Sequence, residues 1–180
     1  MDYVLAQGLT LTAQALDYFR GEIFMAQFWE DVLAGPVDGV HIARVFIRLS
    51  VATLLGGVVG WERYQEGKSA GLRTHMLVAL GAALFTMIPQ EAKMETADIS
   101  RVIQGIAAGI GFLGAGTILK LGEEHRIQGL TSAASVWLTA AAGTAVGAGW
   151  LWPAVVGVAW GWVILYVLHR CEQWLSRRPS

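Results

Sequence analysis

Charge is what this chain lacks over its longest stretch: from Ile127 to Leu168 there is no Asp, Glu, Lys, Arg or His. A helix crosses a bilayer in about 20 apolar residues, so one uncharged segment holds room for two crossings and must turn between them. The turn is predicted at Gly147-Ala148-Gly149, where Trp150, Trp152 and Pro153 follow as interfacial and helix-breaking residues. Cysteine is nearly absent as well. Cys171 stands alone, which excludes an internal disulfide framework and leaves a metal or redox role without a second thiol. Basic excess is missing too: at a net charge of −1 no basic patch forms away from a membrane edge, which argues against nucleic acid as a partner. Met1-Asp2-Tyr3 lacks the basic start of a cleaved signal peptide, so insertion is expected to use the spans themselves.

Catalytic signals are equally sparse. No His, Cys, Asp and Glu set has metal-ligand spacing, no glycine-rich phosphate loop ends in Lys-Ser or Lys-Thr, and no base neighbours Ser132, Ser135 or Thr139 in sequence. No enzyme activity, metal or cofactor is therefore expected.

What is present is apolar: 54% of the chain is hydrophobic and 15% charged. The charges gather at residues 1–48, 62–73, 91–101, 120–126 and 170–178, and the intervals are long enough to span or nearly so. A soluble helical protein would spread charge along one face of every helix instead. The fold class read from this pattern is an all-α integral membrane protein with about five transmembrane helices, preceded by an amphipathic N-terminal helix. Residues 1–40 form the amphipathic segment, 41–170 the transmembrane domain and 171–180 a short tail.

In the first segment Leu5, Leu9, Thr12, Leu16, Phe19 and Ile23 recur at steps of three and four, predicting a helix that lies on the membrane or on the bundle. Spans are expected from Ile42 to Trp61, Thr74 to Ile88, Val102 to Leu119, Leu130 to Val146 and Trp150 to Leu168. Arg48 interrupts the first and must either reach back to the surface or face protein. Gly56 and Gly60 offer an edge for close packing. The third span carries Gly105, Gly109, Gly111, Gly114 and Gly116, too many for helix propensity to explain. On a regular helix Arg101, Gly105, Gly109, Gly116 and Lys120 fall within about 100° of arc, giving a smooth groove with a positive charge at each end. Alternatively the glycines permit a mid-membrane break whose freed backbone groups bind an ion. The fourth span is nearly free of large side chains and belongs inside a bundle. The fifth is broader and suits a lipid-facing position.

Arg63, Lys68, Arg73, Lys120, Arg126, Arg170, Arg177 and Arg178 fall on one side of this topology, against Arg20, Arg44, Arg48, Lys93 and Arg101 on the other. The bias places the first group in the cytoplasm, with the amino terminus periplasmic and the carboxyl terminus cytoplasmic. The densest ionisable stretch runs from Trp61 to His75. It reads either as ordinary charge at a membrane border or as a cluster in which Glu62, Arg73 and His75 fold against the Lys120–Arg126 loop and bind an anion, a cation or a partner.

The run Gly60-Trp61-Glu62-Arg63, followed by Ala70-Gly71-Leu72-Arg73-Thr74-His75 and on to Phe85, resembles the signature of the MgtC/SapB family of bacterial membrane proteins. The glycine-rich stretch from Arg101 to Leu119 resembles that family's third span, and Ile127 to Trp137 the opening of its fourth. The resemblance implies an inner-membrane domain of about five spans, a link to growth in low magnesium and, in pathogens, to survival inside macrophages. It implies a regulator that restrains the proton-driven ATP synthase, although several relatives are called magnesium transporters. The positions it singles out are Glu62, Arg63, Arg73, Thr74 and His75 in the first cytoplasmic loop, and Gly105, Gly109, Gly111, Gly114 and Gly116 in the third span. Virulence-associated members carry a soluble domain after the last span, whereas Cys171 to Ser180 follow it here, so that domain's activity is not carried over.

Three functions remain open on sequence. The first is a non-enzymatic regulator that binds another membrane protein in low-magnesium or acid adaptation. The second is a transporter or channel for magnesium or another small ion, its path lined by the third span. The third is self-association alone, giving a homo-oligomer in the bilayer.

Overall fold

The computed structural model describes residues 38–121, 126–168 and 170. The expected amphipathic segment and the tail after residue 170 lie outside them. The chain divides into two compact units, residues 1–43 and 44–180, and the architecture below is that of the second.

Among the described residues five α-helices follow one another: α1 Gly39–Gln65, α2 Leu72–Glu91, α3 Thr96–Gly116, α4 Leu130–Gly147 and α5 Leu151–Val163, the last continuing as a π-helix over Ile164–Leu168. Between α3 and α4 two short antiparallel strands, β1 Leu119–Leu121 and β2 Arg126–Gln128, pair with Lys120 opposite Ile127. This hairpin is the one element that the apolar pattern does not announce. Four of the helical stretches, those of α1, α2, α3 and residues 151–168, are long and apolar enough to cross a membrane.

The boundaries follow from local chemistry. α1 ends in a Schellman turn at Gly67, which takes φ +63° while Lys68 N–H donates to Arg63 O and Gly67 N–H to Tyr64 O. α4 ends the same way at Gly149, φ +88°, with Trp150 N–H donating to Ala145 O, so the expected hairpin turn sits where the glycines and tryptophans placed it. α2 runs past the expected stop and takes Pro89 into its last turn, ending in a third turn of this type at Lys93, φ +53°. α3 begins six residues before the expected Val102, because Asp98 and Arg101 pair across one helical turn at 3.0 Å and carry the helix beyond its apolar run.

Burial inverts the order of a water-soluble protein. The core is small or polar, with Ala52, Ala79, Ala83, Ala140, Ser135 and Thr139 buried, while Phe46, Leu54, Phe85, Phe112 and Trp160 stand exposed. Lipid is as apolar as leucine, so large side chains gain nothing by turning inward and the interior goes to residues that let backbones approach. Helix α4 has the most buried residues and carries no charge. A Cβ at Gly143 would meet the Ala79 backbone at 2.8 Å from Cα, and one at Gly147 would stand 2.9 Å from Ala83 Cα, so α4 and α2 touch main chain to main chain. Gly56 and Gly60 seat α1 on α2 in the same manner, a Cβ at Gly60 falling 2.8 Å from Leu72 Cα. Gly161 of α5 receives Leu138 of α4. Arg48 faces protein rather than lipid: its Nη1 donates to Gly147 O at 3.2 Å, satisfying a carbonyl that the end of α4 leaves without a helical partner.

Candidate functional site

Apart from Thr86 in the far half of α2, the buried polar side chains converge where α1 ends and α2 and α4 begin. His75, in the first turn of α2, is fully buried. Its Nδ1 lies 2.9 Å from Gly71 O, and its Nε2 lies 3.1 Å from the hydroxyl of Ser135 on α4. Ser135 Oγ is also 2.8 Å from Ser132 O, and Thr139 Oγ1 donates to Ser135 O at 2.8 Å.

Proton counting limits what this chain of contacts can do. A carbonyl only accepts, so Nδ1 carries a hydrogen in either charge state of the ring. Ser135 has one hydroxyl hydrogen and two acceptors in reach. With a neutral ring the hydroxyl donates to Nε2. With a protonated ring Nε2–H donates to Ser135 Oγ and the hydroxyl turns to Ser132 O. Both patterns leave every ring nitrogen bonded and differ by the rotation of one hydroxyl.

Beside it, Glu62 and Arg63 are both buried at the end of α1. Arg63 Nε and Nη2 donate to the two oxygens of Glu62, a bidentate fork between sequence neighbours. Glu62 is thus neutralised by Arg63 rather than by Arg73. Helix geometry gives the reason that Arg73 does not join: at about 100° per residue, side chains two apart diverge by roughly 200°, so burying His75 turns Arg73 outward. Arg73 is exposed and lines, with Thr74, a separate crevice against Trp61 and Tyr64. The expected grouping of Glu62, Arg73 and His75 is therefore corrected to two units, Glu62 with Arg63 and His75 with Ser135. Ser135 carried no signal linking it to His75, being sixty positions away. Lys120 falls in β1, opposite Ile127.

α3 is a continuous helix from Thr96 to Gly116, not a broken one. Gly114 packs on Ala133 of α4, where a Cβ would find ordinary contact at 3.6 Å. Gly105, Gly109, Gly111 and Gly116 face open space, with no atom within 4 Å of the place a Cβ would occupy. Arg101 is exposed and paired with Asp98 of its own helix, so it does not stand as an uncompensated charge at the groove's end. Among the described residues no three His, Cys, Asp or Glu side chains come together as a metal site.

Residues 49–174 match the model of the MgtC family. The chain is 47% identical over 116 residues to Protein SrpB of Synechococcus elongatus, covering 58% of this chain and 63% of that one. It is 37% identical over 135 residues to the putative magnesium transporter YhiD of Escherichia coli K12, covering 71% of this chain and 62% of the relative. It is 43% identical over 115 residues to Protein MgtC of Brucella abortus, covering 64% of this chain and 47% of the relative. The chain thus spans about half to two thirds of the length of these relatives. No solved structure matches it. With large apolar side chains turned outward, small and polar residues turned inward and the family pattern running from within α1 through all of α2 to α5, this multi-pass membrane protein belongs to the MgtC family.

Proposed function

We propose that the chain is a non-enzymatic regulatory protein of the inner membrane that binds another membrane protein through the open glycine face of α3. It would act in adaptation to low magnesium or acid, with the rotary ATP synthase as the partner that the family resemblance suggests. The observation that carries this reading is the unfilled row at Gly105, Gly109 and Gly116 on an unbroken helix. Elsewhere in this fold, glycines at such spacing seat a neighbouring helix, as Gly56 and Gly60 do. A row left open has the shape to receive a helix from outside the chain. The His75–Ser135–Ser132 contacts adjoin Ala133, on which Gly114 of α3 rests, so a proton at His75 has a short packed route to the inner side of the helix whose outer side carries the open glycine row. In this reading the end of the bundle that holds His75 faces the cytoplasm, as the distribution of basic residues indicates.

The competing reading is ion transport, favoured by the printed name of the Escherichia coli relative. The two separate in one experiment. Purified protein is placed in sealed vesicles for magnesium and proton flux, and in parallel tagged protein is recovered from native membranes with its bound partners. The expected result is flux equal to protein-free vesicles and a co-purifying membrane protein that Gly105→Leu and Gly109→Leu each remove. Protein-dependent magnesium flux that those substitutions abolish would overturn the regulatory reading.

A further inference from the structure

The geometry points to a second binding site, for a phosphate group carried by an amphiphile, in a cavity of about 270 Å³ at the end of the bundle where α1 stops. Its floor is polar. Arg63, Lys68, Thr131 and Ser132 line it, together with the backbone at Gly129. The groove between α2 and α3 is different in kind, bounded by such side chains as Leu77, Phe85 and Leu113.

Each donor is placed by a separate feature of the fold. Arg63 is 2% exposed and uses two of its five N–H groups on Glu62, leaving the rest of the guanidinium for the cavity. Glu62 stands behind Arg63 and is not among the lining residues. Lys68 is brought round by the Schellman turn at Gly67, its own N–H holding Arg63 O at 3.0 Å. The first turn of α4 supplies Thr131 and Ser132, whose backbone N–H groups have no helical acceptor. Gly129 precedes that turn at φ +97° and offers no side-chain cap; the Thr117 backbone packs on it, a Cβ there falling 2.9 Å from Thr117 C, so the donors left at this helix end are those of Thr131 and Ser132. Ser132 is 2% exposed, and no described residue receives or donates a hydrogen bond at its hydroxyl, which faces the cavity. The Lys68 cation, the remaining N–H groups of a guanidinium whose charge Glu62 offsets, first-turn amides and a buried hydroxyl form a donor set suited to a phosphate.

The remaining wall selects the carrier. Ile164, Leu165 and Leu168, from the π-helical end of α5, close one side, and Ile164 and Leu168 are more than half exposed. The wall therefore continues onto the apolar outer surface of α5, where acyl chains would lie. The volume falls below the roughly 300–1,000 Å³ of sites for drug-sized ligands, which suits a phosphate headgroup and is small for a nucleotide.

The test uses the full chain in nanodiscs of phosphatidylcholine, with or without phosphatidic acid, and, in a separate arm, phosphatidylcholine nanodiscs with inorganic phosphate. Retained lipid is counted by native mass spectrometry and the unfolding temperature is recorded. Phosphatidic acid is expected to co-purify and raise the unfolding temperature. Lys68→Gln, an exposed position, and Ser132→Ala are each expected to weaken retention about five- to tenfold, and Lys68→Arg to restore it. A shift with inorganic phosphate that Lys68→Gln abolishes, with no preference for phosphatidic acid, assigns the same site to free phosphate. Retention that is equal in wild type, Lys68→Gln and Ser132→Ala, with no shift from phosphate, overturns the proposal.

Discussion

His75 Nε2 and Ser135 Oγ lie 3.1 Å apart across the α2–α4 contact, and no water or charged group is needed to complete the bonding of either. Because Gly71 O fixes the hydrogen on Nδ1, the neutral ring is expected in the Nδ1–H tautomer, the reverse of the form usually favoured in water. Nitrogen-15 shifts of labelled His75 in detergent read this directly. A neutral ring protonated at Nε2 would contradict the geometry. Ser135→Ala removes the partner and leaves a buried ring nitrogen unsatisfied, which is expected to lower the unfolding free energy by about 1–3 kcal/mol in a reversible detergent titration.

The Glu62–Arg63 fork predicts a different signature. Both side chains are buried, so removing one partner strands the other charge in a site with little water. Glu62→Gln is expected to destabilise the bundle by about 3–5 kcal/mol, as is Arg63→Met. The double substitution strands neither charge and is expected to cost clearly less than the sum of the two, with a coupling of about 1–3 kcal/mol in the cycle. Additive losses would mean that the two residues act independently.

Glycines divide into two groups that stability measurements can tell apart. At Gly143 an added Cβ would fall on the Ala79 backbone, and main chain cannot step aside as a flexible side chain can. Gly143→Ala is expected to cost about 1–3 kcal/mol, or to prevent folding. At Gly109 the same methyl enters open space, and the gain in helix propensity is expected to stabilise the monomer by about 0.5–1 kcal/mol. A loss of partner binding at Gly109 without loss of stability would separate the outward face from the core. Equal destabilisation at both positions would show that α3 packs within the chain more closely than described.

The spans were legible because lipid punishes charge, so clusters of ionisable residues mark the ends of helices whatever their packing. The interior position of α4 was legible for a related reason: Ser132, Ala133, Ala140 and Gly143 leave a surface that only another helix can use. Two features were not. The β1–β2 hairpin consists of three-residue strands between apolar runs, too short for alternation to register. The His75–Ser135 contact joins residues whose proximity depends on how closely α2 and α4 approach, and that in turn depends on Gly143 and Gly147. One error had a local signal. Arg73 and His75 are two residues apart in one helix, and that spacing alone puts them on different sides.

Lys93 sets the last prediction, because it holds a conformation its side chain opposes. It ends α2 at φ +53°, with Met94 N–H donating to Pro89 O at 2.9 Å and Lys93 N–H to Gln90 O at 3.0 Å. The same turn is built on glycine at Gly67 and Gly149, where no Cβ crowds the carbonyl. A non-glycine residue in the left-handed region costs roughly 1–2 kcal/mol, while glycine adds conformational entropy to the unfolded chain. Lys93→Gly is therefore expected to raise the unfolding free energy by about 1 kcal/mol, whereas Lys93→Val, β-branched at the same φ, is expected to lower it. Both variants leave His75, Glu62 and the α3 face untouched, so phospholipid retention and partner recovery are expected to match wild type. Destabilisation by Lys93→Gly would show that the turn at the end of α2 is not the one described.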